Sequence, residues 1–166
     1  MRLLLLTFYL GSFLLDAFLS CSGTPAPAKT MRFTLDGSVY DGSANLSAFP
    51  LPDSIYVRTS IYPPAPAPSL GISLKFPKAV GTYNLTSPAA GSASFATYGS
   101  GTNTQNNTTE KYYAGIKAGT VYGSGTVTVD SYTKGTMKGT FKFTAQHLSS
   151  AATKTVSNGR FSVNVQ

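Results

Sequence analysis

The sequence has no tryptophan, one cysteine and one histidine, and only six of its 166 residues are acidic. A single cysteine has no partner for a disulfide within the chain, and one histidine with scattered acids provides neither a nucleophile elbow nor a cluster of zinc ligands. No glycine-rich loop opens a helix, which excludes a nucleotide-phosphate cradle. The sequence therefore predicts a protein that is not an enzyme and uses no metal and no cofactor.

Charged residues are also scarce, at 11% of the chain, although their balance gives a formal net charge of +7. Gly, Ser, Thr, Ala, Tyr and Phe are abundant instead, which is typical of β-sheets and turns. A basic balance would suggest nucleic acid in a cytoplasmic protein, but the N-terminus predicts export. We therefore expect an anionic membrane or glycan surface, and no nucleic acid, as the partner.

The first 20 residues have the pattern of a lipoprotein signal peptide. Met1-Arg2 is a short basic region, and the apolar run LLLLTFYLGSFLL that follows is too short to span a bilayer comfortably. The next segment, AFLSC, resembles the lipobox of bacterial lipoproteins. That resemblance makes Cys21 the first mature residue and the site of lipidation, which would hold the protein on a membrane. The alternative is an ordinary secretory signal beside an incidental free cysteine.

Downstream of Cys21 the sequence predicts a tether and one domain. Residues 21–30 are rich in Pro, Ala and Thr without an apolar period, which indicates a flexible tether. Residues 31–166 contain short runs of alternating apolar and polar residues, which predict a single all-β domain. We expect about 8–10 short strands in an antiparallel β-sandwich or partly closed barrel, with no substantial helix. Turns are predicted at Asp36-Gly37 and Asn158-Gly159, and a long mobile loop over residues 99–111.

Ten tyrosines make binding through aromatic rings a reasonable expectation. Five of them lie in or near the predicted loop: Tyr98, Tyr112, Tyr113, Tyr122 and Tyr132. If they cluster in space they form a recognition face, and the alternative is that they alternate along strands and pack one edge of the domain. Four outward-facing basic residues predict either a patch for an anionic partner or protection of strand edges. These are Arg58, Lys75, Lys138 and Lys142.

The acids of the predicted domain are Asp36, Asp41, Asp53, Glu110 and Asp130. Most lie where turns and caps are expected, so a catalytic carboxylate pair is a minor alternative. Asp36, Ser38 and Asp41 offer oxygen ligands for Ca²⁺ but lack the alternating Asp spacing of a calcium loop. His147 lies in a Ser-rich stretch, where a solvated surface residue is expected.

The segment FTLDGSVYDG near the start of the domain, and KGTFKFTAQ followed by VSNGRFSV near its end, resemble a family of short, uncharacterised β-rich lipoproteins of Bacteroidota. The resemblance implies a domain of unknown function at the outer membrane and no established activity. The tripeptide DSI at 53–55 resembles the O-glycosylation acceptor of the same bacteria, which would place a glycan on Ser54.

The predicted function is that of a membrane-anchored cell-envelope lipoprotein, a non-catalytic module that binds or assembles with a glycan or an envelope protein. An alternative is a lipid carrier whose calycin-like barrel is lined by Phe33, Phe76, Phe141, Phe143 and Phe161. A glycan-active hydrolase is less favoured. A carrier needs an empty interior, whereas a binding module fills its core and presents an aromatic surface.

Overall fold

The structure is a computed structural model that describes residues 28–64, 69–87, 91–98 and 108–165, without the side chains of 94–98, 108 and 109. Cys21, the predicted signal peptide and residues 99–107 of the predicted loop lie outside the described residues. The described chain forms twelve β-strands and one 3₁₀ turn at Ser43–Asn45. None of its segments forms a helix long and apolar enough to cross a membrane. The strands are β1 (Thr30–Leu35), β2 (Ser38–Asp41), β3 (Ser47–Pro50), β4 (Ser54–Ile61), β5 (Ser69–Pro77), β6 (Gly81–Asn84), β7 (Ser92–Tyr98), β8 (Thr108–Lys117), β9 (Thr120–Tyr122), β10 (Ser124–Thr133), β11 (Thr136–His147) and β12 (Thr153–Asn164).

All of these strands pair into one antiparallel sheet. Its main path has the order β2-β1-β12-β11-β8-β7-β5-β4-β3, while β10 pairs with β11 and β6, and β9 pairs with β8. The sheet curls into a half-barrel, which confirms the predicted all-β antiparallel fold. There are more strands than the 8–10 predicted, because β3 and β9, which are only four and three residues long, were not predicted. The start of β8, residues 108–111, was predicted to be loop.

Alternation along each strand decides which side chains enter the core. In β11, Met137, Phe141 and Phe143 are buried as predicted, while Lys138 and Lys142 are exposed. Strands β4, β5, β10 and β12 follow the same rule. Successive side chains of a strand point to opposite faces, so one face of the curled sheet supplies a single apolar cluster.

Phenylalanines are paired with glycines of the neighbouring strand at three places in the core. The pairs are Gly125 with Phe143, Gly139 with Phe161, and Gly159 with Phe141. A Cβ at Gly139 would lie 2.6 Å from Cζ of Phe161, and one at Gly159 would lie 2.5 Å from Cδ2 of Phe141. At these two positions the ring occupies the space that a larger residue would need, and a Cβ at Gly125 would lie 2.3 Å from Cβ of Phe143 and 2.5 Å from Lys142 O. Glycine is therefore required at all three positions.

Asn158-Gly159 is not a turn, contrary to the prediction, but lies inside β12. Asn158 has φ 52°, and on both sides of this point one residue of the neighbouring strand, Phe33 of β1 or Lys142 of β11, lies opposite two residues of β12. This pairing identifies a β-bulge. The left-handed backbone conformation that Asn-Gly favours is compatible with a turn and with a bulge. Here the segment pairs with β1 on one side and β11 on the other, and this pairing keeps it in the sheet as a bulge. Asp36-Gly37 does form the predicted hairpin turn, with φ values of 45° and 90°.

The 3₁₀ turn and the residue before it bridge the two sides of the curled sheet. Gly42 N donates to Met31 O of β1 at 2.8 Å, and Met31 N donates to Ser43 Oγ at 3.1 Å. On the other side, the buried hydroxyl of Thr59 on β4 donates to Gly42 O. Leu46 follows the turn and is buried in the core. Side-chain hydrogen bonds therefore connect β1 to β4, which are not paired with each other as strands.

Candidate functional site: an aromatic outer face

The five tyrosines of the predicted binding face do not form one cluster. Tyr112 is 4% exposed in the core, and Tyr132 packs against the core from β10. The side chain of Tyr98 lies outside the described residues. Tyr113 and Tyr122 are half-buried, and their rings meet edge to face with centroids 6.2 Å apart. The structure thus brings together two of the predicted residues.

Lys117 joins this pair on the outer face of the sheet. Its Nζ lies 5.9 Å from the centroid of the Tyr113 ring. Tyr113 and Lys117 share a face of β8 because they are four residues apart, and Gly115 between them pairs with Tyr122 of β9. An exposed cation over an aromatic ring contributes about 0.5–1 kcal/mol. We refer to Tyr113, Lys117 and Tyr122 as the β8–β9 aromatic group.

A second group on the outer face consists of Phe49, Tyr56 and Arg58, and we refer to it as the β3–β4 aromatic group. Phe49 and Tyr56 are directly opposite each other, with ring centroids 6.4 Å apart. The guanidinium carbon of Arg58 lies 5.1 Å from the centroid of the Phe49 ring, which is 43% exposed. Sequence reasoning did not assign Phe49 and Tyr56 to a site. The available signal was the alternation in SIYVRTSI, which places Tyr56 and Arg58 outward together.

A band on β5 and β7 that contains the hydroxyl residues Ser73 and Ser92 and the lysine Lys75 separates the two groups, and we refer to it as the hydroxyl band. Lys75 of β5 is opposite Tyr56, Ser92 of β7 is opposite Lys75, and Gly115 of β8 is opposite Ser92. The Tyr56 hydroxyl donates to Ser73 Oγ at 2.9 Å. Because neighbouring strands are about 4.8 Å apart, the three steps from β4 to β8 place the two groups about 14 Å apart.

Residues 68–164 match the family model described as "Domain of unknown function (DUF6252)". The chain belongs to this family. The matched region runs from β5 to β12, so it contains the β8–β9 aromatic group and the three glycine–phenylalanine pairs, while the β3–β4 aromatic group precedes it. No curated protein and no solved structure matches the chain.

Two other predicted positions of the DUF6252 protein lie on the same part of the sheet. Arg58, predicted to belong to an anionic-partner patch, is part of the β3–β4 aromatic group, and Lys75 of the same predicted patch lies opposite Tyr56, between the two groups. Lys138 and Lys142 are exposed on β11 instead, so the four predicted basic residues do not form one patch. Ser54, the predicted glycosylation acceptor, is the half-buried first residue of β4, and its carbonyl oxygen accepts a hydrogen bond from Leu51 N at 2.8 Å.

Polar side chains also gather where β8 meets β11, around Tyr112 and His147. The Tyr112 hydroxyl donates to Glu110 Oε2 at 3.1 Å, and its ring lies edge to face with that of His147 at 5.2 Å. Burial raises the pKa of Tyr112, and the hydrogen bond to Glu110 raises it further. Ser150 Oγ lies 3.0 Å from His147 Nδ1. Within the described ranges, no three His, Cys, Asp or Glu side chains are grouped so that they could hold a metal ion.

The carboxylates of Asp36 and Asp41 are engaged by nearby donors. Asp36 accepts a hydrogen bond from Thr155 N at 2.9 Å and lies 3.0 Å from Lys154 Nζ. Burial alone would raise the pKa of Asp36, but the Thr155 and Lys154 contacts outweigh it and hold the pKa below its usual value. Hydrogen bonds from the hydroxyl and the N–H of Ser43 lower the pKa of Asp41 in the same way. These contacts explain both acids as residues that fasten the β1–β2 hairpin to its neighbours.

The five phenylalanines considered as the lining of a carrier are at most 3% exposed. Their rings contact one another, with centroid distances of 5.4 Å for Phe76 and Phe161, 6.3 Å for Phe33 and Phe141, and 6.4 Å for Phe141 and Phe161. Phe76 belongs to β5 and Phe161 to β12, so the rings meet across the interior of the curled sheet. These rings therefore fill the part of the interior in which they meet.

Proposed function

We propose that this DUF6252 protein is a membrane-anchored cell-envelope lipoprotein of Bacteroidota type, a non-catalytic module that binds a ligand on its outer face. The anchor is Cys21, which follows the apolar segment in AFLSC. The observation that carries the binding role is the pair of aromatic groups, one on β3–β4 and one on β8–β9, with small hydroxyl residues between them.

A glycan is the ligand class that this face fits best. A sugar ring has an apolar face that stacks on aromatic rings, and hydroxyls that pair with the tips of tyrosine and serine. Arg58, Lys75 and Lys117 add positive charge along the same face, which favours an acidic glycan. An oligosaccharide that crosses the hydroxyl band would contact both aromatic groups at once.

Two alternatives have less support. A carrier of apolar ligands needs open interior space, but the phenylalanine rings that would line it pack against each other. A glycosidase needs two carboxylates free to act on one bond, but Asp36 and Asp41 are each held by structural donors. Both observations favour a module that acts through its surface.

Binding is tested by calorimetric titration with acidic and neutral polysaccharides of a bacterial envelope. We expect Tyr113→Ala and Phe49→Ala each to weaken binding of an acidic polysaccharide by about fivefold to tenfold, since a lost aromatic contact is worth roughly 1 kcal/mol. Tyr62→Ala is the control, because Tyr62 is 57% exposed and belongs to neither group. Unchanged affinity of both group variants, or an equal loss with the control, would contradict the binding face.

Anchoring is tested separately, by intact mass and membrane fractionation of the protein from a lipoprotein-competent host. Wild type is expected to gain the mass of acyl chains and to sediment with membranes, whereas Cys21→Ala is expected to do neither. If both proteins are soluble and carry no acyl mass, the lipoprotein assignment is wrong whatever the outer face binds.

A further inference from the structure

Most connections between consecutive strands lie at one end of the sheet or the other. Paired strands are antiparallel, so a connection between two oppositely directed strands lies at a single end, whereas β2 and β3, and β6 and β7, run in the same direction and their connections pass between the ends. Four connections lie at the end where β1 begins: residues 51–53, 78–80, 118–119 and 134–135. Val165 N donates to Gly135 O at 2.6 Å, and Lys78 N donates to Asp53 O at 3.4 Å, which ties neighbouring parts of this end together. We refer to these connections, with residues 28–30, as the N-terminal rim.

Exposed apolar side chains lie in two connections of the N-terminal rim and beside a third. Leu51 is 39% exposed, Val80 is 61% exposed, and Val121, two residues beyond the turn at 118–119, is 53% exposed. Single exposed apolar residues are common on soluble proteins. Here, however, two connections at one end each contain an exposed apolar residue, and a third connection is followed by one at the start of β9.

The same rim is basic. Lys29, Lys78 and Lys134 lie in it together with the acid Asp53, and Asp41 at the end of β2 beside the rim is paired with Arg32. An end that combines apolar tips with lysines is typical of a surface that contacts anionic lipid, since the tips enter the interface while the ammonium groups meet the headgroups.

We infer that the N-terminal rim rests on the anionic lipid surface to which Cys21 attaches the protein. This inference rests on the proposed function, because the lipid on Cys21 decides which end of the domain is near the membrane. Nine residue steps join Cys21 to Thr30, and fully extended they reach at most about 32 Å. The rim is therefore the end held close to the bilayer, and the outer aromatic face stands beside the membrane and open to ligand.

The contact is tested with one environment-sensitive dye placed at either end of the lipidated protein. Val80→Cys carries the dye on the rim, and Val39→Cys, which is 77% exposed on β2 at the opposite end, is the matched control. Cys21 is the chain's one natural cysteine, so acylation of it leaves the introduced thiol alone for labelling. In phosphatidylglycerol vesicles that contain a lipid-bound quencher, we expect quenching at position 80 and none at 39. Equal quenching at the two positions, or none at 80 while the protein sediments with the vesicles, would overturn the inference.

Charge variants of unacylated Cys21→Ala protein give a second readout that does not depend on the anchor. Each lysine near an anionic surface changes the partition coefficient by roughly fivefold. The triple variant Lys29→Gln, Lys78→Gln and Lys134→Gln should therefore bind phosphatidylglycerol vesicles more weakly by about one to two orders of magnitude, measured by co-sedimentation. The control, Lys111→Gln, Lys142→Gln and Lys154→Gln, removes the same charge far from the rim, since Lys154 lies at the start of β12 at the opposite end of the sheet, and it should have little effect. Equal losses from both triples would refute a specific rim contact. If wild type carries no acyl mass, the lipoprotein assignment fails, and these variants still decide whether the rim binds lipid.

Discussion

Replacing Gly139 by alanine probes the closest approach between strands in the core. The new Cβ would lie 2.1 Å from Thr128 O on one side and 2.6 Å from Cζ of Phe161 on the other. An ordinary carbon–oxygen contact is about 3.3 Å, so β10 or the ring must move by about 1 Å. Overpacking of this kind costs roughly 1–3 kcal/mol, offset by about 0.4–1 kcal/mol from the reduced freedom of the unfolded chain. Because the nearer atom, Thr128 O, belongs to the backbone, the upper end of the overpacking cost applies, and we expect a net loss of about 2 kcal/mol, or about 6 °C in Tm for a domain of this size.

The assay is thermal and urea unfolding followed by far-UV circular dichroism. Gly119→Ala is the control, because a Cβ there meets nothing within 4 Å and the variant carries only the cost of φ 80°, about 1 kcal/mol. Adding Phe161→Leu to Gly139→Ala relieves part of the clash, so the double variant should lose less than the sum of the single losses. The reasoning is refuted if Gly139→Ala unfolds like wild type or no more easily than Gly119→Ala.

Two further substitutions test the bridge to β4 and the β1–β2 hairpin. Thr59→Val removes the buried hydroxyl that donates to Gly42 O and should lower the free energy of unfolding in urea by about 1–2 kcal/mol. The control Thr140→Val, on the exposed face of β11, should be nearly neutral. Equal effects of the two substitutions would count against the bridge. Asp36→Asn should cost at most about 1 kcal/mol at neutral pH, because solvent screens the pair with Lys154. The pKa of Asp36 is lowered in the folded protein, so the stabilisation by its carboxylate is present above the unfolded-state pKa and disappears as pH falls through the folded-state pKa. Urea unfolding at a series of pH values should therefore show the free energies of unfolding of wild type and Asp36→Asn converging in acid. A difference that stays constant with pH would contradict this.

Alternation along the chain predicted most of the sheet correctly. It assigned the inward face of β4, β5, β10, β11 and β12, because the side-chain period of two follows from the backbone of a single strand. It did not identify β3 and β9, which are too short to repeat a pattern. Asn158-Gly159 was misassigned because its backbone conformation suits a turn or a bulge, and only the partner strands distinguish the two.

The residues of the candidate site were predicted less well from the sequence than the fold was. Tyr112 and Tyr113 are adjacent and chemically identical, yet one is buried against the core and the other faces outward, so proximity in sequence did not predict clustering. The β3–β4 aromatic group depends on the pairing of Phe49 with Tyr56, which no local pattern specifies. The distance between the two groups depends in turn on β5 and β7 lying between them.

By itself the sequence determined that this protein is built of β-strands and which side of most strands is apolar, because both properties arise from neighbouring residues. The tertiary structure alone decided which strands meet. The pairing and packing of the strands also require glycine at positions 139 and 159 and place the Thr59 hydroxyl against Gly42 O. The same pairing brings Leu51, Val80 and Val121 to one end of the sheet. Such contacts join residues far apart in the chain, so their geometry is determined only when the whole sheet has curled.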